Sequence, residues 1–382
     1  MRRDDRFVKG LATGSAKDPG QQQPKGRSGR RPGADRGGRG EKRPAAHSAT
    51  DFGQPPVAEE FLFPLPVALP DWMRGGAFTG HLAAPGFLPE LLEELGLSGA
   101  SGPEHLVFGD LVFTMNRAKP AWAQNTWLDA RLVPAASIGQ GAKALRDLQR
   151  NWWCHPVRLA RRSALISEKL PRVSARPQVF GEPAPTAPLG SWTLWDEGSL
   201  IAAPSCSSVY PDGQPRFVED RESAPSRAYL KLWEAFTVLG ARPAPGELCL
   251  DLGASPGGWT WVLASLGARV FSVDKAPLDP RIEAMNNVDH CLGSGFGLDP
   301  LVAGTPERPV DWLFSDMACY PERLLTLIER WLAAGTCRNF VCTLKFQAET
   351  DHATARAFAA IPGSRLLHLA HNKHELTWAL LR

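Results

Sequence analysis

The stretch Leu248-Cys-Leu-Asp-Leu-Gly-Ala-Ser-Pro-Gly-Gly-Trp259, followed by Val270-Phe-Ser-Val-Asp274, decides the fold. Its apolar run Leu248 to Leu252 ends in a turn rich in glycine and proline, which is typical of a buried parallel strand. A helix is predicted from about Gly258, because the apolar residues that follow recur at helical spacing. A second strand is predicted to end at Asp274. In such a βαβ unit, the glycine turn and the acid meet at the carboxyl edge of the sheet, where doubly wound folds hold an adenosine-bearing cofactor.

The glycine turn differs from the dinucleotide-binding fingerprint G-x-G-x-x-G. This chain has Gly253-Ala-Ser-Pro-Gly-Gly258, so the second glycine, which lets a pyrophosphate approach the backbone, is absent. Asp251 at the strand end would repel a phosphate but favour a cationic ligand. We therefore expect S-adenosylmethionine, a sulfonium with an amino-acid tail, and a dehydrogenase is disfavoured. An ordinary α/β turn without a ligand is the alternative.

Further motifs follow in one order between about residue 216 and the C-terminus. They are Ala224-Pro-Ser-Arg-Ala-Tyr-Leu-Lys231, Asp251-Leu-Gly-Ala-Ser-Pro-Gly-Gly-Trp259, Phe314-Ser-Asp316-Met, Thr343-Leu-Lys345 and His374-Glu375-Leu-Thr-Trp378. Together they resemble the FtsJ-like ribose 2′-O-methyltransferases, and most of all the bacterial 23S ribosomal RNA cytidine 2′-O-methyltransferases of the RlmM type. The resemblance implies a cytoplasmic, S-adenosylmethionine-dependent enzyme whose partner is 23S ribosomal RNA or a large-subunit precursor.

The resemblance also implies a catalytic tetrad of Lys231, Asp316, Lys345 and Glu375. A helix, the carboxyl ends of two strands and the start of the last strand supply them, and these points converge above a doubly wound sheet. As a hypothesis, Lys345 is the general base or activator of the 2′-oxygen, with its pKa lowered by Lys231 and by burial. Asp316 would favour the partly positive methyl in transit and hold Lys345, and Glu375 would orient Lys231 or the ribose. Surface ion pairs are the alternative for each residue alone.

The same motifs imply a set of cofactor-binding residues. The set is Asp251, Gly253, Ser255, Pro256, Gly257, Gly258, Trp259, Asp274, Ser294 and Asp316. The backbone amides of residues 253–259 are expected to hold the methionine portion, Asp251 its ammonium group and Asp274 the ribose hydroxyls. The family usually has an acid for the adenine amino group after the third strand. This chain offers only Ser294 there, which predicts a weaker hydrogen bond.

Composition limits the other classes of protein. The seven cysteines are odd in number and contain no C-x-x-C pair, so neither a zinc site nor a disulfide framework is expected. Cys249 and Cys342 fall in predicted strands and are expected to be small core residues. No apolar run reaches the length of a membrane span. We expect a monomer that binds no metal and contacts no membrane.

Three regions are predicted: a basic tail at 1–55, an α+β region at 56–190 and a methyltransferase domain at 191–382. Residues 1–46 contain 13 basic and 5 acidic residues, a net charge of +8, whereas the rest carries 30 basic and 35 acidic residues, a net charge of −5. The tail is rich in Gly, Pro, Gln and Arg, and such a composition cannot bury enough apolar surface to fold. A basic arm suits phosphate contacts on RNA. A solubilising tail with no partner is the alternative.

For region 56–190, the resemblance implies a THUMP-like RNA-binding domain. Strands are predicted at Gly80 to Ala84 and Leu106 to Met115, with helices at Pro89 to Leu95 and Gly139 to Trp153. One aromatic and basic cluster would stack on bases and neutralise phosphate. Its members are Trp152, Trp153, Arg158, Arg161 and Arg162. Core tryptophans beside a solvated basic helix end are the alternative.

The methyltransferase domain is predicted to be a seven-stranded α/β sheet, with five parallel strands followed by a closing pair. After the deciding stretch, strands are predicted at Val288 to Leu292, Trp312 to Ser315, Phe340 to Leu344, Leu366 to Ala370 and Leu376 to Leu381, and helices at Pro321 to Ala334 and Glu349 to Ile361. Two other functions stay open. One is an FtsJ-like enzyme acting on another RNA. The other is a non-catalytic RNA-binding protein that keeps the fold, which the intact tetrad disfavours and the missing adenine acid favours.

Overall fold

Residues 61–382 are described by the structure, a computed structural model, and the predicted tail at 1–55 lies outside the described residues. The strands are β1 (Phe78–Ala83), β2 (His105–Phe108), β3 (Leu111–Thr114), β4 (Ala123–Pro134), β5 (Trp152–Cys154), β6 (Gly190–Leu194), β7 (Ser199–Ala203), β8 (Ser205–Cys206), β9 (Leu248–Leu252), β10 (Arg269–Asp274), β11 (Val288–Leu292), β12 (Val310–Ser315), β13 (Cys337–Lys345), β14 (Ser364–Leu367) and β15 (Glu375–Leu380). The α-helices are α1 (Leu88–Glu94), α2 (Ile138–Leu148), α3 (Ala160–Ser167), α4 (Tyr229–Leu239), α5 (Gly258–Ser265), α6 (Pro280–Glu283), α7 (Pro300–Ala303), α8 (Pro321–Ala334) and α9 (His352–Ala359).

The second sheet, β9 to β15, has the strand order β11-β10-β9-β12-β13-β15-β14. Strands β9 to β13 run parallel, and β15 is antiparallel to both of its neighbours. The predicted doubly wound sheet with a closing pair is therefore confirmed, and the predicted strand ends fall within three residues of the observed ones. Its central strands are apolar along their length because helices cover both faces. Cys249 and Cys342 are buried in this sheet, as predicted.

Helices on opposite faces of the second sheet build two separate cores. One face packs against α8 and α9, with Trp331 and Phe358 fully buried. The other face packs against α4 and α5, through Leu232, Phe236 and Leu263. Helix α4 therefore lies directly on the sheet, and its side chains reach the carboxyl ends of the parallel strands. None of the helices in residues 61–382 is long and apolar enough to cross a membrane.

The first sheet, β1 to β8, has the order β2-β3-β1-β4-β7-β6-β5, with β8 paired to β4. Strands β6 to β8 belong to it, although the boundary predicted between 190 and 191 assigns them to the methyltransferase domain. That boundary falls at the start of β6, where the chain pairs with β5 and β7. A boundary predicted from composition misses this pairing, because residues 172–188, which precede β6, are rich in proline and resemble a linker. The division into domains and the THUMP-like character of the region stay predictions.

The helix predicted from Gly139 to Trp153 is wrong at its C-terminal end. Helix α2 ends at Leu148, and Gln149 is fully extended. The indole of Trp152 donates to the carbonyls of Leu145 and Gln149, at 2.9 and 3.0 Å. The Leu145 carbonyl also accepts the Gln149 N–H at 3.1 Å, so the indole adds to the closure of the helix end and the chain can turn there into β5.

The aromatic and basic cluster of residues 152–162 is mostly part of the fold. Trp152 is buried, which confirms the core alternative for that residue. The guanidinium of Arg158 lies 4.7 Å from the ring centres of both Phe108 and Trp195. Arg162 donates to backbone carbonyls, including that of Glu197 at 2.7 Å. Such cations are held by the protein and are poorly placed for phosphate.

The two sheets share buried side chains at a junction next to the carboxyl edge of the second sheet. Trp122, just before β4, lies 5.3 Å from His368 and 5.9 Å from Phe346, measured between ring centres. Phe87, just before α1, stacks on His374 at 5.6 Å. Because Phe346 and His374 are chain neighbours of Lys345 and Glu375, the first sheet supports two members of the tetrad.

Candidate active site

The structure brings the four predicted catalytic residues together. Lys231 Nζ lies 3.0 Å from Asp316 Oδ1 and 2.7 Å from Glu375 Oε1. Lys345 Nζ lies 3.1 Å from the same Asp316 oxygen and donates to the Asp316 backbone carbonyl at 2.6 Å. Two ammonium groups therefore share one carboxylate oxygen.

Sheet register explains this convergence. Asp316 directly follows β12, and Lys345 is the last residue of β13, the parallel neighbour of β12. Glu375, the first residue of β15, pairs directly with Lys345. Lys231 reaches the same point from the first turn of α4. Two cations face two anions, which limits the cost of taking four charges out of water.

The tetrad is unequally exposed, and the difference separates the two lysines. The side chain of Lys231 is 8% exposed and bonded to two carboxylates, whereas that of Lys345 is 26% exposed. Lys231 is thus locked in place. Lys345 is the member of the tetrad that an incoming substrate can best reach.

Glu234 is a site residue that sequence reasoning missed. It lies one turn after Lys231 on α4 and is 1% exposed. Its carboxylate accepts the backbone N–H groups of Ala370 and His371, at 2.7 and 3.0 Å, and lies 2.5 Å from His371 Nδ1. Glu234 therefore fixes the loop that leads into Glu375. The available signal was a glutamate three residues from Lys231, on the same helix face.

The predicted cofactor crevice lies at the carboxyl ends of β9, β10 and β11. Gly253 and Gly257 have φ values of 83° and 111°, which favour glycine. Asp274 accepts the backbone N–H groups of Ser255 and Ala276, at 3.0 and 2.9 Å. These bonds hold the glycine turn against the end of β10. Each carboxylate oxygen keeps a lone pair for a further donor.

Asp251 is fully buried at the end of β9. Burial raises the pKa of its carboxyl to about 7, and the hydrogen bond from Thr260 at 2.6 Å opposes that rise. Its other oxygen, Oδ1, has no hydrogen-bond partner within residues 61–382. An acceptor left without a donor in a buried position is costly, and a cationic ligand group would relieve that cost.

Close backbone approach links the crevice to the tetrad. A Cβ atom on Gly253 would lie 2.6 Å from Met317 Cγ, and one on Gly295 would lie 3.1 Å from Met317 Sδ. The loops after β9, β11 and β12 therefore meet around the residue that follows Asp316. A ligand held by the glycine turn would lie next to the tetrad.

The remaining predicted cofactor residues differ in what they can offer. The side chain of Trp259 is buried, and its indole donates to the Ala228 carbonyl at 3.0 Å, so only its backbone is left for a ligand. The Pro256 carbonyl accepts the N–H of Asp279 at 2.9 Å. A Cβ atom on Gly258 would lie 2.6 Å from Ser226 Oγ. Ser294 is exposed just before a short 3₁₀ turn. Among residues 61–382, no cluster of His, Cys, Asp or Glu has the arrangement of a metal site.

Part of the site lies in a range of the chain that matches a known family model. Residues 224–355, which contain Lys231, Asp316 and Lys345, match the FtsJ-like methyltransferase family model. Residues 224–355 are therefore similar to an FtsJ-like methyltransferase domain. The crevice and the tetrad both lie at the carboxyl edge of that domain's sheet, and Glu375 follows the matched range.

Curated relatives carry the name ribosomal RNA large subunit methyltransferase M. The protein of Aromatoleum aromaticum is 36% identical over 192 residues, which cover 46% of this chain and 50% of the relative. That of Methylococcus capsulatus is 43% identical over 146 residues, covering 37% and 40%. The chain spans about half the length of the curated relatives it matches, or less.

Two solved structures are also similar to parts of this chain. A Plasmodium falciparum protein described as a ribosomal RNA methyltransferase is 16% identical, with a TM-score of 0.31, over 41% of this chain and 97% of its own. TrmN from Thermus thermophilus is 14% identical, with a TM-score of 0.31, over 80% of this chain and 99% of its own.

Proposed function

We propose that the protein is an S-adenosylmethionine-dependent RNA ribose 2′-O-methyltransferase that acts on a cytidine of 23S ribosomal RNA. The observation that carries this proposal is the convergence of Lys231, Asp316, Lys345 and Glu375 beside a glycine turn. The names of the curated relatives support ribosomal RNA as the substrate class. The cytidine and the 2′-oxygen rest on the resemblance to the RlmM type.

The residues of the crevice fit the cofactor. Asp251 offers a buried acceptor without a partner, which suits the ammonium of an amino-acid tail. Asp274 offers lone pairs to ribose hydroxyls, and the backbone around Gly253 leaves no room for a side chain. When bound, S-adenosylmethionine supplies an electrophilic methyl group. Every other step is performed by side chains of the chain itself.

A ribose 2′-hydroxyl is a weak nucleophile near neutral pH, so its proton must be removed as the new bond forms. Lys345 takes this proton once it has released one of its own to solvent, because Lys345 is the accessible lysine and the Asp316 carbonyl fixes its Nζ. Lys231, held by Asp316 and Glu375, adds a fixed positive charge that favours the developing alkoxide. Orientation of the nucleophile completes the contribution of the protein.

Methyl transfer to unmodified 23S ribosomal RNA tests the proposal directly. Purified protein is incubated with radiolabelled S-adenosylmethionine, beside Lys345→Ala and a control, Lys143→Ala, whose lysine is exposed on α2. We expect label on one cytidine ribose, lost in Lys345→Ala and kept in the control. Cofactor affinity measured by calorimetry should be nearly unchanged in Lys345→Ala. Equal transfer by Lys345→Ala and the wild type would contradict the mechanism.

The alternatives give different results in the same experiments. An enzyme for another RNA binds S-adenosylmethionine but labels a different RNA or an assembly intermediate. A non-catalytic protein binds neither S-adenosylmethionine nor its demethylated product. We further propose that the basic tail contacts RNA through charge. Deletion of residues 1–50 should then reduce the dependence of RNA affinity on salt.

A further inference from the structure

Tyr320 is an exposed aromatic side chain in the segment that follows Asp316 of the tetrad. It is 63% exposed, whereas every other Phe, Trp and Tyr between residues 61 and 382 is buried or half-buried. An exposed apolar residue is ordinary on a protein surface, so exposure alone carries no argument. The argument rests on the position of Tyr320 in the chain and on the absence of any hydrogen bond or ring contact of its side chain within residues 61–382.

Tyr320 does nothing visible for the stability of the described chain. It occupies the N-cap position of α8 but makes no side-chain capping bond there, where Ser, Thr, Asp and Asn are preferred. No hydrogen bond or ring contact of its side chain is found within residues 61–382. Its neighbours Cys319 and Pro321 are buried, and the Cys319 N–H donates to the Met317 carbonyl at 3.1 Å. The backbone is therefore fixed while the ring alone projects into solvent.

The ring lies within reach of the reaction centre. Tyr320 is four positions after Asp316, which limits the distance between their Cα atoms to roughly 14 Å. Arg323 lies in the first turn of α8, three residues after Tyr320, and Lys345 Nζ donates to the Asp316 carbonyl at 2.6 Å, so both cations lie near the ends of this loop. Arg323 is exposed, and its guanidinium carbon lies over the Phe296 ring, 3.9 Å from the ring centre. An exposed aromatic ring in a loop with a nearby exposed cation has the chemistry of a single-stranded nucleic-acid site.

We propose that Tyr320 stacks on a base of the substrate RNA, at or next to the nucleotide that is methylated. This inference rests on the proposed function, because it takes the substrate to be RNA. Sequence-specific proteins usually read RNA as single strands with splayed bases, and aromatic rings are the usual platforms for such bases. Arg323 supplies positive charge for a neighbouring phosphate.

Fluorescence of 2-aminopurine tests the stacking without any methyl transfer. The probes are short single-stranded oligocytidylate RNAs with one 2-aminopurine placed at successive positions. We expect the wild type and Tyr320→Phe to quench one position, because both keep an aromatic ring. Tyr320→Ala should lose this quenching and bind about 5- to 100-fold more weakly. Leu301→Ala, which removes an equally exposed apolar side chain without a ring, is the matched control.

Steady-state kinetics give the second measurement. For Tyr320→Ala we expect KM for RNA to rise by a similar factor, with calorimetric affinity for S-adenosylmethionine unchanged and with rescue by Tyr320→Phe. Unchanged quenching and KM in Tyr320→Ala overturn the stacking. Weaker cofactor binding instead assigns the ring to the adenine and also overturns it. If the wild type quenches the probes but transfers no methyl, the proposed function fails while the stacking stands.

Discussion

Asp251 shows, at the scale of one residue, how a ligand site opposes stability. An unfolded chain loses this proton near pH 4, whereas burial holds the pKa of the folded carboxyl at about 7. Between these values the folded state binds the extra proton. The contribution of the Asp251 carboxyl to the stability of the folded state is therefore fully present below about pH 4, and it is lost as the pH rises to about 7. At higher pH the folded chain without cofactor carries a buried carboxylate whose Oδ1 has no hydrogen-bond partner among residues 61–382.

We expect Asp251→Asn to raise the free energy of unfolding of the cofactor-free protein at pH 8 by on the order of 2 kcal/mol. The gain should vanish near pH 4, where the wild-type carboxyl is protonated in both states. Urea unfolding at the two pH values measures this difference. The same variant should bind S-adenosylmethionine more weakly, because the ammonium loses its charged partner. A gain of equal size at both pH values would remove the electrostatic explanation.

The glycine turn after β9 acts as an element that joins the cofactor crevice to Asp316. Gly253→Ala places a Cβ atom 2.6 Å from Met317 Cγ and 2.9 Å from Met317 Cα, in a backbone with a φ of 83°. Gly240→Ala is a matched control, because its φ is 71° but nothing lies within 4 Å of the new Cβ. We expect the control to lose about 1 kcal/mol of stability, from backbone strain alone.

Gly253→Ala should lose more stability than the control, and it should also lower kcat by displacing the loop of Asp316. Thermal unfolding and methyl-transfer kinetics distinguish the two variants. Equal losses of stability and of kcat in both would mean that the approach of Met317 to the turn has no functional consequence.

The loop between β14 and β15 is held by α4 through Glu234. Glu234→Ala leaves the half-buried N–H groups of Ala370 and His371 without their acceptors, at a cost of about 1 kcal/mol each. Because this loop delivers Glu375, we expect kcat to fall while KM for RNA changes little. Glu234→Gln keeps one acceptor oxygen and should recover part of both losses. A variant that loses stability but keeps the wild-type kcat would limit Glu234 to folding.

Elements were predictable wherever a local pattern decides them. The strand of residues 248–252 and helix α8 follow from apolar runs, a glycine turn and an N-terminal proline, so their bounds were close. The predicted end of helix α2 is too late in the sequence, because the observed end depends on the indole of Trp152, which donates to the Leu145 carbonyl. Glu234 and Tyr320 were missed for a related reason. Glu234 is recognised by its contacts with residues 370–371, which are distant in the sequence. Tyr320 is recognised because its side chain makes no hydrogen bond or ring contact within residues 61–382.

At the scale of the whole molecule, the two sheets share part of one core. A single cluster of buried side chains contains Leu91 of α1 and Trp122, together with Trp331 of α8 and Phe340 of β13. The backbone N–H of His368 also donates to the Ala121 carbonyl, at 2.8 Å. A shared core couples the stability of its parts, so residues 61–382 are expected to unfold in one cooperative transition.

Trp152→Ala tests this coupling, because Trp152 packs within the first sheet, in a cluster separate from the junction. Removing a buried tryptophan should cost about 3–5 kcal/mol. If the sheets unfold together, hydrogen exchange of the most protected amides should accelerate equally in β4 and in β13. Acceleration confined to β4 would instead indicate two domains with independent stability. In that case the support that Phe87 and Trp122 give to the tetrad would depend on docking rather than on folding.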